Sequence, residues 1–141
     1  MVISFHTIVS LILIYFYRVE ITFGPVQTLP IDAHLDEALA ALAIGGALVL
    51  SAPPGTGKST RLPPAITKRS SGQVYLLQPR RVAARALARR IASEQDWQLG
   101  QEVGWRVRFD TNGGKQTKLW VMTEGTLTRQ LQADPYLDGI S

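Results

Sequence analysis

The chain contains no cysteine, which excludes a disulfide framework and any zinc site built on thiolates. This suits a reducing cytosolic setting. Histidine is nearly as scarce. His6 and His34 are the only two, too few and too isolated for a metal centre or a nucleophilic triad, and both read as surface or packing residues. A long apolar run is also missing. The nearest approach, Ile8–Tyr17 (IVSLILIYFY), falls well short of the roughly 20 residues a membrane helix needs. It lacks the Lys/Arg-rich start and small-residue cleavage site of a secretory signal as well. Residues 1–28 therefore stand apart as an atypical apolar extension. A wrongly assigned start, a marginal anchor helix and a β-strand all remain open for it.

The other conspicuous absence is negative charge. Between Ala52 and Ser93 there is no Asp or Glu, while nine cations fall in the same window: Lys58, Arg61, Lys68, Arg69, Arg80, Arg81, Arg85, Arg89 and Arg90. A field of one sign attracts a polyanion, although a solvated helix face has the same composition. The remainder is ordinary for a globular domain: 141 residues, 45% hydrophobic, net charge +4. That is enough chain for one hydrophobic core and too apolar for a disordered segment. No internal repeat or low-complexity linker interrupts it.

From Leu29 onward, strands and helices alternate. Asp32 caps a helix with Leu35, Leu39 and Leu42 on one side, ended by Gly45-Gly46. Ala47–Ser51 (ALVLS) reads as an apolar strand and is followed by a glycine-rich loop. A helix starts near Lys58, kinked by Pro63 and Pro64. Gln73–Pro79 is a second buried-type strand. Arg80–Gln95 is a helix with Val82, Leu87 and Ile91 inward. Glu102–Phe109 and Thr117–Met122 are strands separated by the turn DTNGGK, and Thr123–Gln132 is a last short helix. The pattern predicts an α/β fold, a parallel sheet with flanking helices.

The loop APPGTGKS fits the phosphate-binding pattern, with Ala52 where the strict form has glycine. A turn with an incidental lysine is the plain alternative, but the placement between an apolar strand and a helix decides for phosphate. Gly55 and Gly57 allow successive backbone N–H groups to curl around an anion. The helix that follows aims its positive end at the same point. Lys58 is then the residue for the β- and γ-phosphates, and the Ser59 hydroxyl a ligand for Mg²⁺.

A phosphate loop alone leaves kinases, transporters, GTPases and motor ATPases open. The segments LLQPRRVAARALARRIASE (Leu76–Glu94), VGWRVRFD (Val103–Asp110) and TEGTLTRQL (Thr123–Leu131) follow it in order. Together with the loop they resemble the N-terminal RecA-like lobe of DEAH/RHA-type superfamily 2 RNA helicases. LPID at Leu29, TEG and DPYLDG are most similar to the bacterial HrpB-type branch. The resemblance covers 29–141 and implies an incomplete RecA-like P-loop NTPase domain, part of an ATP-dependent, cytoplasmic RNA helicase. It implies that Gly55, Thr56, Gly57, Lys58, Ser59 and Thr60 form the ATP-binding motif, with Lys58 catalytic. Arg90 then packs on the adenine face, where a planar guanidinium suits a base. Arg81 contacts the RNA backbone, with Arg80 beside it or shaping the motif, and Thr123 and Gly125 meet a phosphate of the bound strand. Arg106, Arg108 and Arg129 are weaker candidates, Trp105 is expected to pack, and Lys68, Arg69 and Arg89 are expected to be solvated surface.

The same resemblance implies an Asp-Glu-x-His element beyond Ser141, a Ser-Ala-Thr coupling motif and a second lobe, none of which lies in the chain. Without the acidic residues that hold Mg²⁺ and polarise water, the chain is expected to bind nucleotide weakly without turnover. It is also expected to be poorly soluble, with an open sheet edge. A non-hydrolysing nucleotide or RNA-binding module is the alternative of a different class. Another P-loop NTPase, such as a small kinase, would need an acceptor-binding lid that nothing after Met122 resembles.

Overall fold

The computed structural model describes residues 28–140. The apolar run Ile8–Tyr17 and His6 lie outside the described residues. The order is a 3₁₀ turn (Pro30–His34), α1 (Leu35–Gly45), α2 (Lys58–Arg69), β1 (Val74–Gln78), α3 (Arg81–Gln95), β2 (Val103–Val107), β3 (Asp110–Asn112), β4 (Leu119–Thr123) and α4 (Glu124–Ala133). The strands form a four-stranded sheet in the order β1-β4-β2-β3. β1, β4 and β2 run parallel, whereas β3 folds back antiparallel on β2, so the sheet is mixed.

Alternation along the strands explains how the layers form. Val74, Val103, Trp105, Val107, Leu119 and Val121 turn to the face covered by α3, whose small residues Ala84 and Ala88 let Ile91 sit close to the sheet. On the opposite face Trp120 and Met122 are also buried. There the loop after β3 comes so near that a Cβ on Gly113 would lie 2.6 Å from Trp120 Cη2. Gln130 of α4 reaches the same face, donating to the Tyr75 hydroxyl at 2.6 Å and accepting from Arg106 at 2.9 Å.

Four details depart from the sequence reading. Ala47–Ser51 is not a strand: no described strand lies beside it, and Val49 is 97% exposed. An isolated extended segment has no ladder to stabilise it, whatever its composition. Asp32 caps the 3₁₀ turn rather than α1, accepting from the Leu29 N–H at 2.8 Å. Val82 points outward and is 75% exposed, because the inward stripe runs through Ala84, Ala88, Ile91 and Ala92 at helical spacing. The turn placed at Asp110–Lys115 lies earlier, at Arg108-Phe109, since Asp110–Asn112 pairs with β2. The helix α2 starts at Lys58 as expected and is continuous through Pro63 and Pro64, where a kink is expected, with the buried Thr67 hydroxyl donating to the Pro63 carbonyl at 2.8 Å.

Among the described residues β1 ends the sheet, with a single parallel bridge from Gln73 to Ile140 beside it. No helix among the described residues is long and apolar enough to cross a membrane.

Candidate nucleotide site and nucleic-acid edge

Gly55 and Gly57 both take left-handed backbone angles, φ 82° and 94°. At Gly57 space is short as well. A Cβ there would lie 2.7 Å from Leu29 Cδ1 and 2.9 Å from Ile31 Cγ2. The 3₁₀ turn is fastened to the loop by the Ile31 N–H, which donates to the Thr56 carbonyl at 3.1 Å. The Thr56 hydroxyl donates to the Pro53 carbonyl at 2.9 Å and closes the curl from inside.

The N–H groups of Gly55, Gly57, Lys58 and Ser59 find no acceptor among the described residues. They are the orphan donors of a helix start, and α2 begins at Lys58. Lys58 folds back over the loop, and its ammonium donates to the carbonyls of Ala52 and Pro53, the latter at 2.8 Å. Ser59 is exposed, while the Thr60 hydroxyl turns to the Gly57 carbonyl at 3.4 Å. The loop, Leu29, Arg90 and Glu94 enclose a cavity of about 430 Å³, within the range of small-ligand sites. The structure thus brings all six predicted loop residues and Arg90 to one cavity. Mg²⁺ is commonly held by one or two protein oxygens together with phosphates and water, and the exposed Ser59 hydroxyl at this helix start fits that donor set. A second cavity of about 470 Å³ lies between α1 and Leu48–Pro53. Its walls are mainly apolar, among them Ile31, Ala38, Ala41 and Leu50.

The second group of predicted residues sits elsewhere. Because β1, β4 and β2 are parallel, their C-terminal ends share one edge of the sheet. Arg80 and Arg81 leave β1 there as the cap and first residue of α3, exposed and without an ion pair among the described residues. Thr123 and Gly125 leave β4 at the same edge. The Thr123 hydroxyl is shared with that of Thr126 at 2.9 Å, and the space where a Gly125 Cβ would stand is open.

The β2–β3 turn projects from this edge and was missed in the sequence reading. Phe109 is 85% exposed with φ 66°, and the Arg108 guanidinium lies 4.7 Å from its ring centre. Its signal was an aromatic beside an arginine at a hairpin tip, hidden by placing the turn two residues late. Arg106 is not available at the edge, being stacked 4.3 Å from the Trp120 ring and bonded to Gln130. Trp105 packs as expected, its Nε1 donating to Asp110 at 3.0 Å. Arg129 is exposed on α4. Lys68, Arg69 and Arg89 are exposed, as expected for surface cations, and each also has a side-chain partner. Lys68 bonds Gln95 and faces Trp97, Arg69 pairs with Asp36, and Arg89 lies over Trp105.

No family model matches the chain. It is 44% identical over 116 residues to the ATP-dependent RNA helicase HrpB of Escherichia coli, a match covering 81% of this chain. It is 34% identical over 121 residues to the probable ATP-dependent RNA helicase DHX40 of Rattus norvegicus, with 84% of the chain covered. A crystal structure of the E. coli DExH-box NTPase HrpB superposes on 84% of the chain with a TM-score of 0.75 at 42% identity. The chain belongs to the DEAH/RHA helicase family. The mixed four-stranded sheet with flanking helices is the fold it shares with the HrpB structures, at 42–45% identity. The chain spans 14% of the length of the HrpB sequence and 16% of DHX40.

Proposed function

We propose that residues 29–141 are the ATP-binding front part of an ATP-dependent RNA helicase, and that the chain alone binds nucleotide without turning it over. The observation that carries this is the Gly55–Ser59 curl, with its unclaimed N–H groups at the start of α2 and the Lys58 ammonium folded over them. In this reading the loop amides and Lys58 take the β- and γ-phosphates, Lys58 leaving the two carbonyls it now holds, and Ser59 supplies a hydroxyl to Mg²⁺. The metal supplies charge neutralisation on the phosphates. Arg90 on the opposite wall faces the base. The printed function of the relatives, ATP-dependent RNA helicase, supports the assignment, and the cytoplasm is where we place it.

We expect no turnover because no Asp or Glu of this chain lies in an Asp-Glu-x-His element that would hold Mg²⁺ and orient water. Equilibrium dialysis with Mg-ATP is expected to show one bound nucleotide per chain, with phosphate release no faster than in buffer. Turnover that disappears in Lys58→Ala would contradict the second half of the proposal. Absence of any bound ATP would contradict the first.

The same reading assigns Arg80, Arg81, Thr123 and Gly125 to an RNA backbone lying along the strand-end edge, with Phe109 offering a ring to an unpaired base. Replacing both Arg80 and Arg81 by alanine is expected to weaken poly(U) binding about tenfold and to lower the slope of log K against log salt by roughly 1.4, two single-strand phosphate contacts. A salt titration by fluorescence anisotropy reads both. An unchanged slope would remove these arginines from the interface.

A further inference from the structure

Phosphate binding leaves unexplained a carboxylate in the nucleotide cavity. Glu94 lines it with a side chain only 10% exposed. A buried acid facing a polyanion opposes binding unless cations neutralise it. Two do. Arg90 Nε donates to Glu94 Oε1 one helical turn away, and Arg61 NH1 stands 3.6 Å from Oε2. Arg61 is itself 8% exposed, and its Nε lies 3.4 Å from Asp32 Oδ1, while the other oxygen of Asp32 accepts from the Leu29 N–H. Charges thus alternate in a line, Asp32–Arg61–Glu94–Arg90, from the turn stapled to the loop, through α2, to the far wall of the cavity.

We infer that Glu94 is a positioning residue for nucleotide binding: braced by Asp32 and Arg61, it holds the Arg90 guanidinium at the wall where the base stacks. Arg90 is half-exposed on a long flexible side chain, and an unrestrained arginine loses rotamer freedom on stacking. Pairing it beforehand to a buried acid removes much of that loss. The line contains two acids and two bases, so it leaves the phosphate end of the cavity to Lys58 and the loop amides. The inference rests on the proposed nucleotide site and sharpens it. Glu94 acts on the base end alone.

That division is measurable with two probes, Mg-ATP and Mg-tripolyphosphate, the second having phosphates without a base. In Glu94→Gln the affinity for ATP is expected to fall about three- to fivefold, the worth of an exposed cation–π contact, with tripolyphosphate changed less than about twofold. Arg90→Ala is expected to reproduce the same selective loss, and the double variant to add nothing further. Asp32→Asn, at the far end of the line, is expected to act in the same direction more weakly, and keeps the test informative if Glu94→Gln is misfolded by circular dichroism. Equal losses for both ligands, or additive losses for Glu94→Gln and Arg90→Ala, would overturn the inference and leave the nucleotide site standing. A wild-type chain that binds neither probe would overturn the site itself.

Discussion

Replacing Lys58 by alanine is expected to lower Mg-ATP affinity about 100-fold or more while the fold persists. The ammonium donates to the Ala52 and Pro53 carbonyls and, at 3.5 Å, to the Thr56 hydroxyl, all within its own loop, and Lys58 is not part of the hydrophobic core. Its removal therefore costs little in stability, since water can reach the freed carbonyls. For the ligand the cost is different. Hydrogen bonds to a charged group contribute about 1.5–3 kcal/mol each, and an ammonium between two phosphates makes two of them. Each factor of ten in affinity corresponds to about 1.4 kcal/mol. Equilibrium dialysis on wild type and variant, with thermal melts alongside, separates the two effects. Unchanged ATP affinity in a folded variant would take Lys58 out of the site.

The largest expected effect on stability is at Trp120. It is 2% exposed in β4, the strand flanked by β1 and β2, with the loop at Gly113 closed over its ring and Arg106 stacked on it. Truncating a buried tryptophan to alanine costs about 3–5 kcal/mol, a large share of the roughly 5–15 kcal/mol that holds a domain together. Trp120→Ala is expected to lower the melting temperature by about 15 °C or more, or to abolish a cooperative transition. Trp120→Phe makes the argument sharper. The Trp120 Nε1 is buried without a hydrogen-bond partner, so phenylalanine keeps most of the ring contact and removes an orphan donor. Its expected cost is about 1.5 kcal/mol or less. If the two variants melted together, ring packing at this point would not be what stabilises the sheet.

What could be read from the sequence was what local chemistry determines. The order of glycines, lysine and serine in GTGKS specifies a curled loop at a helix start, and the structure shows Gly55 and Gly57 in left-handed conformations there. Gln73–Pro79 and Thr117–Met122 are apolar runs of strand length, and both pair. Errors arose where a neighbour distant in the chain decides the outcome. Ala47–Ser51 has strand composition, but a strand exists only against a partner. Asp110–Asn112 has turn composition, yet pairing with β2 draws it into the sheet and pushes the bend onto Phe109, a residue ill-suited to positive φ. Arg61 illustrates the same limit for charge. Counted by sign, it belongs to the basic field around the loop; in the fold it is enclosed by Asp32 and Glu94, acids from two other segments. Arg80 and Arg81, exposed and without an ion pair among the described residues, are a part of that field open to a polyanion.

The central claim is that the backbone N–H groups at Gly55, Gly57, Lys58 and Ser59 grip the phosphate tail of a nucleotide. Amide NMR of the ¹⁵N-labelled chain during a Mg-ATP titration tests it most directly. These four resonances are expected to move together and to saturate at one equivalent, with the same displacement in Mg-tripolyphosphate and none in Lys58→Ala at the same concentration. Saturable shifts confined to Leu48, Leu50 and Ala41 around the apolar cavity, with the loop amides unmoved, would contradict it.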